Sequence, residues 1–235
     1  MMEKAGFDPT HPAARKPLAR LRAFHDVVSR QSGVTFPTLV MNDGAVAYAA
    51  ASPTTPDPVW RFVQRVWQLY QAATIVDAKE GGPGLRAVIA VGLRAKGRRD
   101  GIDAQEAAFA ELIDQVATAQ MTVAQAKKAS RSIRRSFDVV PTLQANFAFA
   151  RAYLAETGGS KAGLPGPNLY LDAKVFRHGV PDWIEADPPV VWSPDKRPSL
   201  STHFVAVHGF RLVDRAAEHF RTGRELYDVL RHAAS

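Results

Sequence analysis

The sequence predicts an α+β fold, a mostly antiparallel sheet covered by helices, and three observations carry that expectation. Helix-period and strand-period segments alternate from the start of the chain in the order α-β-β-α-β. Two apolar runs, 34–41 and 45–50, flank Asn42-Asp43-Gly44, whose residues tolerate φ above zero, so 34–50 reads as a β-hairpin. The segment 85–93 is wholly apolar or glycine from Ala87 onward and reads as a central strand covered on both faces.

The elements follow from spacing. Leu18, Leu21, Phe24 and Val28 share one stripe of a helix over 15–30, which Ser32-Gly33 ends. Pro37 marks the first strand of the hairpin as an edge or a bulge. Asp57 caps a second helix with Pro58 at its first position, and Val59, Phe62, Val66, Leu69, Tyr70 and Ala73 carry it to about Lys79. Trp60 and Trp67 lie on an adjoining stripe. The turn Gly81-Gly82-Pro83-Gly84 leads into strand 85–93.

A helical stretch comes next. Asp103 with Glu106, and Thr122 with Gln125, have the form of capping boxes, and the second opens a helix to about Arg135. Pro141 breaks the pattern, a third helix spans about 142–156, and Gly158-Gly159 stops it. Strands are expected at 169–171 and 202–207, and amphipathic helical segments between Val213 and Arg231, broken at Gly223, close the chain. The organisation this implies is a single domain over 1–235, with a helical insertion at about 100–140 and a C-terminal extension at about 178–235.

Composition narrows the function classes. At 46% hydrophobic and 23% charged residues, the 235-residue chain is too apolar for a disordered protein. With no cysteine, disulfides, thiolate metal sites and cysteine nucleophiles are excluded. The N-terminal residues have no apolar leader core, and the run 87–93 is far below the ~18 residues of a membrane span, so a soluble, cytoplasmic protein without a membrane partner is expected. The formal charge of +7 suits phosphate binding, and is equally frequent in Ala- and Arg-rich proteins of GC-rich genomes.

Few residues carry chemistry by pattern alone. The histidines lack metal-ligand spacing, no nucleophile elbow is present, and Gly158-Gly159-Ser160-Lys161 reads as a helix stop rather than a phosphate-binding loop. At helical spacing, Lys127, Lys128, Arg131, Arg134 and Arg135 fall within an arc of roughly 120°. That face is either solvated or turned to phosphates or an acidic partner. Arg94, Lys96, Arg98 and Arg99 form a second basic cluster. Asp43, at the hairpin tip, is either a turn residue or a carboxylate placed to hold a divalent metal.

The succession of helix, hairpin with an aspartate near its tip, long helix and the strand reading GLRAVIAVG (84–92) resembles the catalytic core of class III nucleotidyl cyclases. It looks most like the short bacterial pyrimidine cyclases of Pycsar anti-phage signalling. Ala152, Tyr153 and Glu156 match a helix ending of that family, and Gly166, Pro167 and 169–171 match the segment after it. The resemblance covers about 18–95 and 140–176. It implies a homodimer that cyclises a nucleoside triphosphate with two Mg or Mn ions held by two aspartates, one of them matched by Asp43. It also implies transition-state roles for Asn146 and Arg151, although their spacing is one residue longer than the family pattern. The family's first metal aspartate ends a buried N-terminal strand, whereas Gly6-Phe7-Asp8 has no apolar strand before it.

Three readings follow. The first is a metal-dependent cyclase. The second is a catalytically degenerate pseudo-cyclase that binds nucleotide through Arg86, Arg94, Lys127, Arg131 and Arg134. The third is a basic nucleic-acid-binding protein, for which no aromatic residues are interleaved among those cations.

Overall fold

The computed structural model describes residues 10–41, 43–52, 54, 59–94, 100–133, 143, 145–194, 198–211 and 213–232, with secondary structure alone for 100–106. Met1–Leu93 with Phe147–Ser235 form one compact unit and Arg94–Asn146 a second. The fold is α+β.

The first unit holds helices α1 (Arg15–Gln31) and α2 (Trp60–Lys79), with the hairpin strands β1 (Thr38–Met41) and β2 (Gly44–Ala47) between them. Strand β3 (Ala87–Ile89) follows α2. After the second unit come α5 (Phe147–Gly158), β4 (Leu169–Asp172), β5 (Ile184–Ala186), β6 (Val190–Trp192), β7 (Thr202–Phe210) and α6 (Gly223–His232). Five strands make one mixed sheet in the order β3-β4-β7-β5, with β6 also paired to β7. β3 runs parallel to β4, and the other pairs are antiparallel.

Strand alternation sorts the core into two layers. Leu169 and Leu171 of β4 pair with Val207 and Val205 of β7. These four pack with Ile89, Val63 and the aromatic stripe of α2. Tyr170, opposite Ala206, belongs to the other face, with Phe204, Trp192 and the α5 residues Ala150, Leu154 and Ala155. Asp172, two residues on and opposite Phe204, shares that α5-covered face. Thus α2 covers one side of the sheet and α5 the other, while α1 packs along α2.

The hairpin forms within the expected 34–50, but as a separate two-stranded sheet, and β1 begins only at Thr38. Gly33 and Phe36 exchange backbone hydrogen bonds in a tight turn, and buried Phe36 packs its ring at a tilt against Phe62. That turn consumes the residues read as strand at 34–37. The strand expected at the sheet centre is also corrected: β3 lies at the end of the strand order and the middle belongs to β4 and β7. An apolar run needs cover on both faces, and α2 and α5 supply that at an edge as well as at a centre. Residues of the expected C-terminal extension provide β5, β6 and β7 of this sheet.

Glycines hold the turn before β3. Asp77, 5% exposed, accepts hydrogen bonds from Arg20 Nε and, at 2.9 Å, from Gly84 N, so one carboxylate joins α1, α2 and the turn. A Cβ on Gly82 would strike that carboxylate, and one on Gly84 (φ +92°) would lie 2.5 Å from Pro167.

Helix ends depart from the sequence reading for local reasons. Ala145, at φ +45°, stops α5 from extending upstream to 142. Gly223 begins α6 rather than breaking it, because Thr222 caps the helix: Thr222 N donates to Glu225 Oε2 at 2.7 Å and Glu225 N to Thr222 Oγ1 at 3.3 Å. In the second unit are α3 (Asp100–Ala117) and α4 (Val123–Ser130). Helix α3 starts three residues before Asp103, whose side chain, like that of Glu106, lies outside the described residues, as do Asp57 and Pro58. The Thr122–Gln125 capping box is present, but α4 ends at Ser130 instead of about Arg135. Ser130 Oγ bonds back to Lys127 O and Ser132 Oγ to Ala129 O, taking carbonyls that a longer helix would use. Among the described residues no helix is long and apolar enough to cross a membrane.

The Thr222 cap yields a pH test. Burial raises the Glu225 pKa, but hydrogen bonds from Thr222 N and the Arg177 guanidinium outweigh it and hold the carboxyl below its ordinary value. A depressed folded pKa adds stability above the unfolded value that is lost as pH falls through the folded one. The urea-midpoint gap between wild type and Glu225→Gln is therefore expected to be full near pH 7 and to shrink as pH falls below the ordinary carboxylate range.

Candidate functional site

Because β3 and β4 are parallel, their carboxyl ends share one edge of the sheet, and antiparallel β7 starts at that same edge with Thr202. Ligands of open sheets with parallel strands commonly bind outside such carboxyl ends. Here the edge carries Asp172, the last residue of β4.

Asp172 is fully buried. Its Oδ1 accepts from Thr202 Oγ1 at 2.8 Å and from Lys174 N at 3.1 Å, the latter capping a short 3₁₀ turn. Its Oδ2 accepts from Val91 N at 3.4 Å and faces Arg151 Nη1 at 3.6 Å. Arg151 reaches this face from α5, itself 5% exposed, and donates from Nε to Leu200 O at 2.8 Å and from Nη1 to Val91 O. Close approach at this point requires Gly92, whose Cβ would meet the backbone of Ala148. Lys174, half-buried, donates from Nζ to Thr202 Oγ1 at 2.5 Å.

Arg151 thus faces the carboxylate directly, and the Lys174 ammonium reaches it through Thr202 Oγ1. Burial lowers the Lys174 pKa; the Asp172 charge opposes that shift and the Arg151 charge reinforces it. Burial likewise pulls Arg151 down against the support of Asp172. An ammonium has three hydrogens, and Thr202 takes one from Lys174, so the group can donate to an incoming anion, which would also balance the local charge. Deprotonated, the same amine would be a base or nucleophile.

Of the described residues of the first unit assigned from sequence, one lies at this edge. Arg151 is there, but its guanidinium is spent on Asp172 and two carbonyls. Arg86 lies against Gly159 and Gly166 and donates to Glu156 O at 2.9 Å, closing the C-terminal turn of α5. Asp43 is exposed in the loop joining β1 to β2, on a sheet of its own. In the second unit, Asn146 forms a backbone bridge with Arg94, which is exposed. Lys127 and Lys128 are exposed on α4, and exposed Arg131 follows as its C-cap with αR backbone, four and three positions on from them. Arg134 and Arg135, Lys96, Arg98 and Arg99, and Asp8 lie outside the described residues.

A two-metal centre does not fit the described residues. Asp43 is a single carboxylate on an exposed turn, and both oxygens of Asp172 already accept from protein donors. No group of three or more His, Asp or Glu placed to hold a metal occurs among the described residues. Sequence reasoning missed Asp172, Lys174 and Thr202. The available signal was an aspartate ending the apolar run Leu169–Asp172, two residues before a lysine. No protein-family model, curated protein or solved structure matches the chain.

The network predicts non-additive energetics. Asp172→Asn leaves the Arg151 charge buried and is expected to cost about 3–5 kcal/mol. The double variant Arg151→Met/Asp172→Leu, which removes both charges, is expected to be more stable than Asp172→Asn in urea unfolding.

Proposed function

We propose that this chain is a nucleotide-binding protein of the class III cyclase-like kind that does not cyclise its nucleotide, and that phosphate is held at the carboxyl edge of β3 and β4 by Lys174. The observation that carries this reading is the unequal charge at that edge: buried Asp172 faces Arg151 directly, and the ammonium of half-buried Lys174 is linked to it through Thr202 Oγ1. An anion arriving at Lys174 restores the balance and favours its protonated form.

Loss of turnover is supported by Arg151. The residue matched to a transition-state arginine is buried and bound to Val91 O, Leu200 O and Asp172, so it is not available to a developing phosphoryl charge. The nucleic-acid reading receives less support, since no aromatic residue is interleaved among the cations of 127–135.

Two measurements test the proposal. Incubation with each of the four nucleoside triphosphates and Mn²⁺, followed by mass spectrometry, is expected to give no cyclic monophosphate; any such product overturns the non-cyclising reading. Calorimetric titration with the same triphosphates is expected to show binding that Lys174→Gln weakens about ten-fold or more and Lys174→Arg retains in part. Binding is expected to weaken as pH rises through the lowered Lys174 pKa, because only the ammonium attracts phosphate. Equal affinities for wild type and Lys174→Gln would remove Lys174 from the site.

A further inference from the structure

A second concave site lies at the far end of β7, which runs nine residues from Thr202 to Phe210, roughly 25 Å of strand. Trp60, Gln64, Trp67 and Gln68 present one face of α2 there, and Phe210, Arg211 and Arg215 face them across a groove of about 470 Å³. That volume lies in the range of small-molecule sites, and the composition is theirs as well: aromatic walls with a few polar groups.

The walls are built rather than incidental. Trp60 packs against Trp183, Phe210 and Phe220 with ring centroids 5.5, 5.5 and 4.7 Å apart, and Trp67 meets Phe210 edge-on at 5.0 Å. Both indoles keep partial exposure. Among the described residues lining the groove, the charged ones are both arginines. Arg211 is fixed by its backbone N on Trp183 O at 2.9 Å and by its guanidinium on Asp182 O. Arg215 is held at φ +61°, a left-handed conformation unfavourable for a residue with a Cβ. Its side chain is 79% exposed and pairs at 2.9 Å with Glu218 on the following turn. Residues held in such sparsely populated backbone conformations cluster at ligand and active sites.

From these features we infer that the groove binds a small planar aromatic anion. The ring stacks against the exposed indole surface, the carboxamides of Gln64 and Gln68 meet its heteroatoms, and Arg211 and Arg215 take its negative group. A phosphate and a carboxylate satisfy the same guanidinium geometry. The site is separate from the carboxyl edge of β3 and β4, so it stands or falls independently of Lys174.

Calorimetric titrations of the full chain with adenosine 5′-monophosphate and with indole-3-carboxylate test the inference. At least one is expected to give saturable binding, and which one binds identifies phosphate or carboxylate as the preferred group. Arg215→Gly is the informative variant, since glycine accepts φ +61° without strain while the whole side chain, guanidinium included, is removed. It is expected to unfold no more easily than wild type and to bind about ten-fold more weakly or worse. Gln64→Glu, an exposed change that sets a carboxylate against the anion, is expected to abolish binding. The adenosine 5′-monophosphate titrations are made in the Lys174→Gln background, so that phosphate held at the carboxyl edge of β3 and β4 does not enter the reading and saturable binding reports the groove. Failure of both compounds to bind overturns the inference, and so does binding that Arg215→Gly and Gln64→Glu leave intact.

Discussion

The buried carboxylate of Asp172 is the constraint around which the sheet edge is organised. A charge with no exposure to water is tolerated only when opposite charge and hydrogen bonds replace its hydration. Here that replacement draws on α5 through Arg151, on the segment after β3 through Val91, on the start of β7 through Thr202, and on the turn after β4 through Lys174 N. The same requirement places Arg151 on Leu200 O and Val91 O, and so fixes α5 against the sheet. Of the charged side chains of the network, Asp172 and Arg151 are buried and Lys174 is half-buried. Its position is set by the others, which is how a structural network presents a group to solvent in one geometry.

The two faces of the sheet use different means. On the α5 face, polar satisfaction around Asp172 adjoins a compact cluster of Tyr170, Phe204 and Trp192. On the α2 face, packing is aromatic, and Trp60, Trp67, Phe176, Trp183, Phe210 and Phe220 join the helix to the strand ends and to the segment before α6. Rings of that size leave shape at the rim where the strand and helix part, and the groove beside Arg211 and Arg215 is that rim. One end of β7 therefore carries a charged network and the other an aromatic concavity, with the buried run Phe204 to Val207 between them.

Local physics was legible in the residues themselves. The spacing of Leu18, Leu21, Phe24 and Val28 gave α1, and Asn42-Asp43-Gly44 between apolar runs gave the hairpin. Thr122 with Gln125 gave a cap, because that motif closes within four residues. The extent of elements was less legible where a neighbour decided it. Phe36 left the strand for a ring contact with Phe62, and α4 stopped where two serines turned back on its carbonyls.

By itself the sequence determined the α+β class, the absence of cysteine chemistry, most helices and the strands at 169–171 and 202–207, since each depends on residues a few positions apart. Strand order, the edge position of β3 and the assembly of Asp172 with Arg151, Thr202 and Val91 were decided only by the tertiary structure. These partners are separated by 21, 30 and 81 positions along the chain, and no periodicity links them. What brings them together is the cost of burying one carboxylate, which is settled only when the sheet and its covering helix close over it.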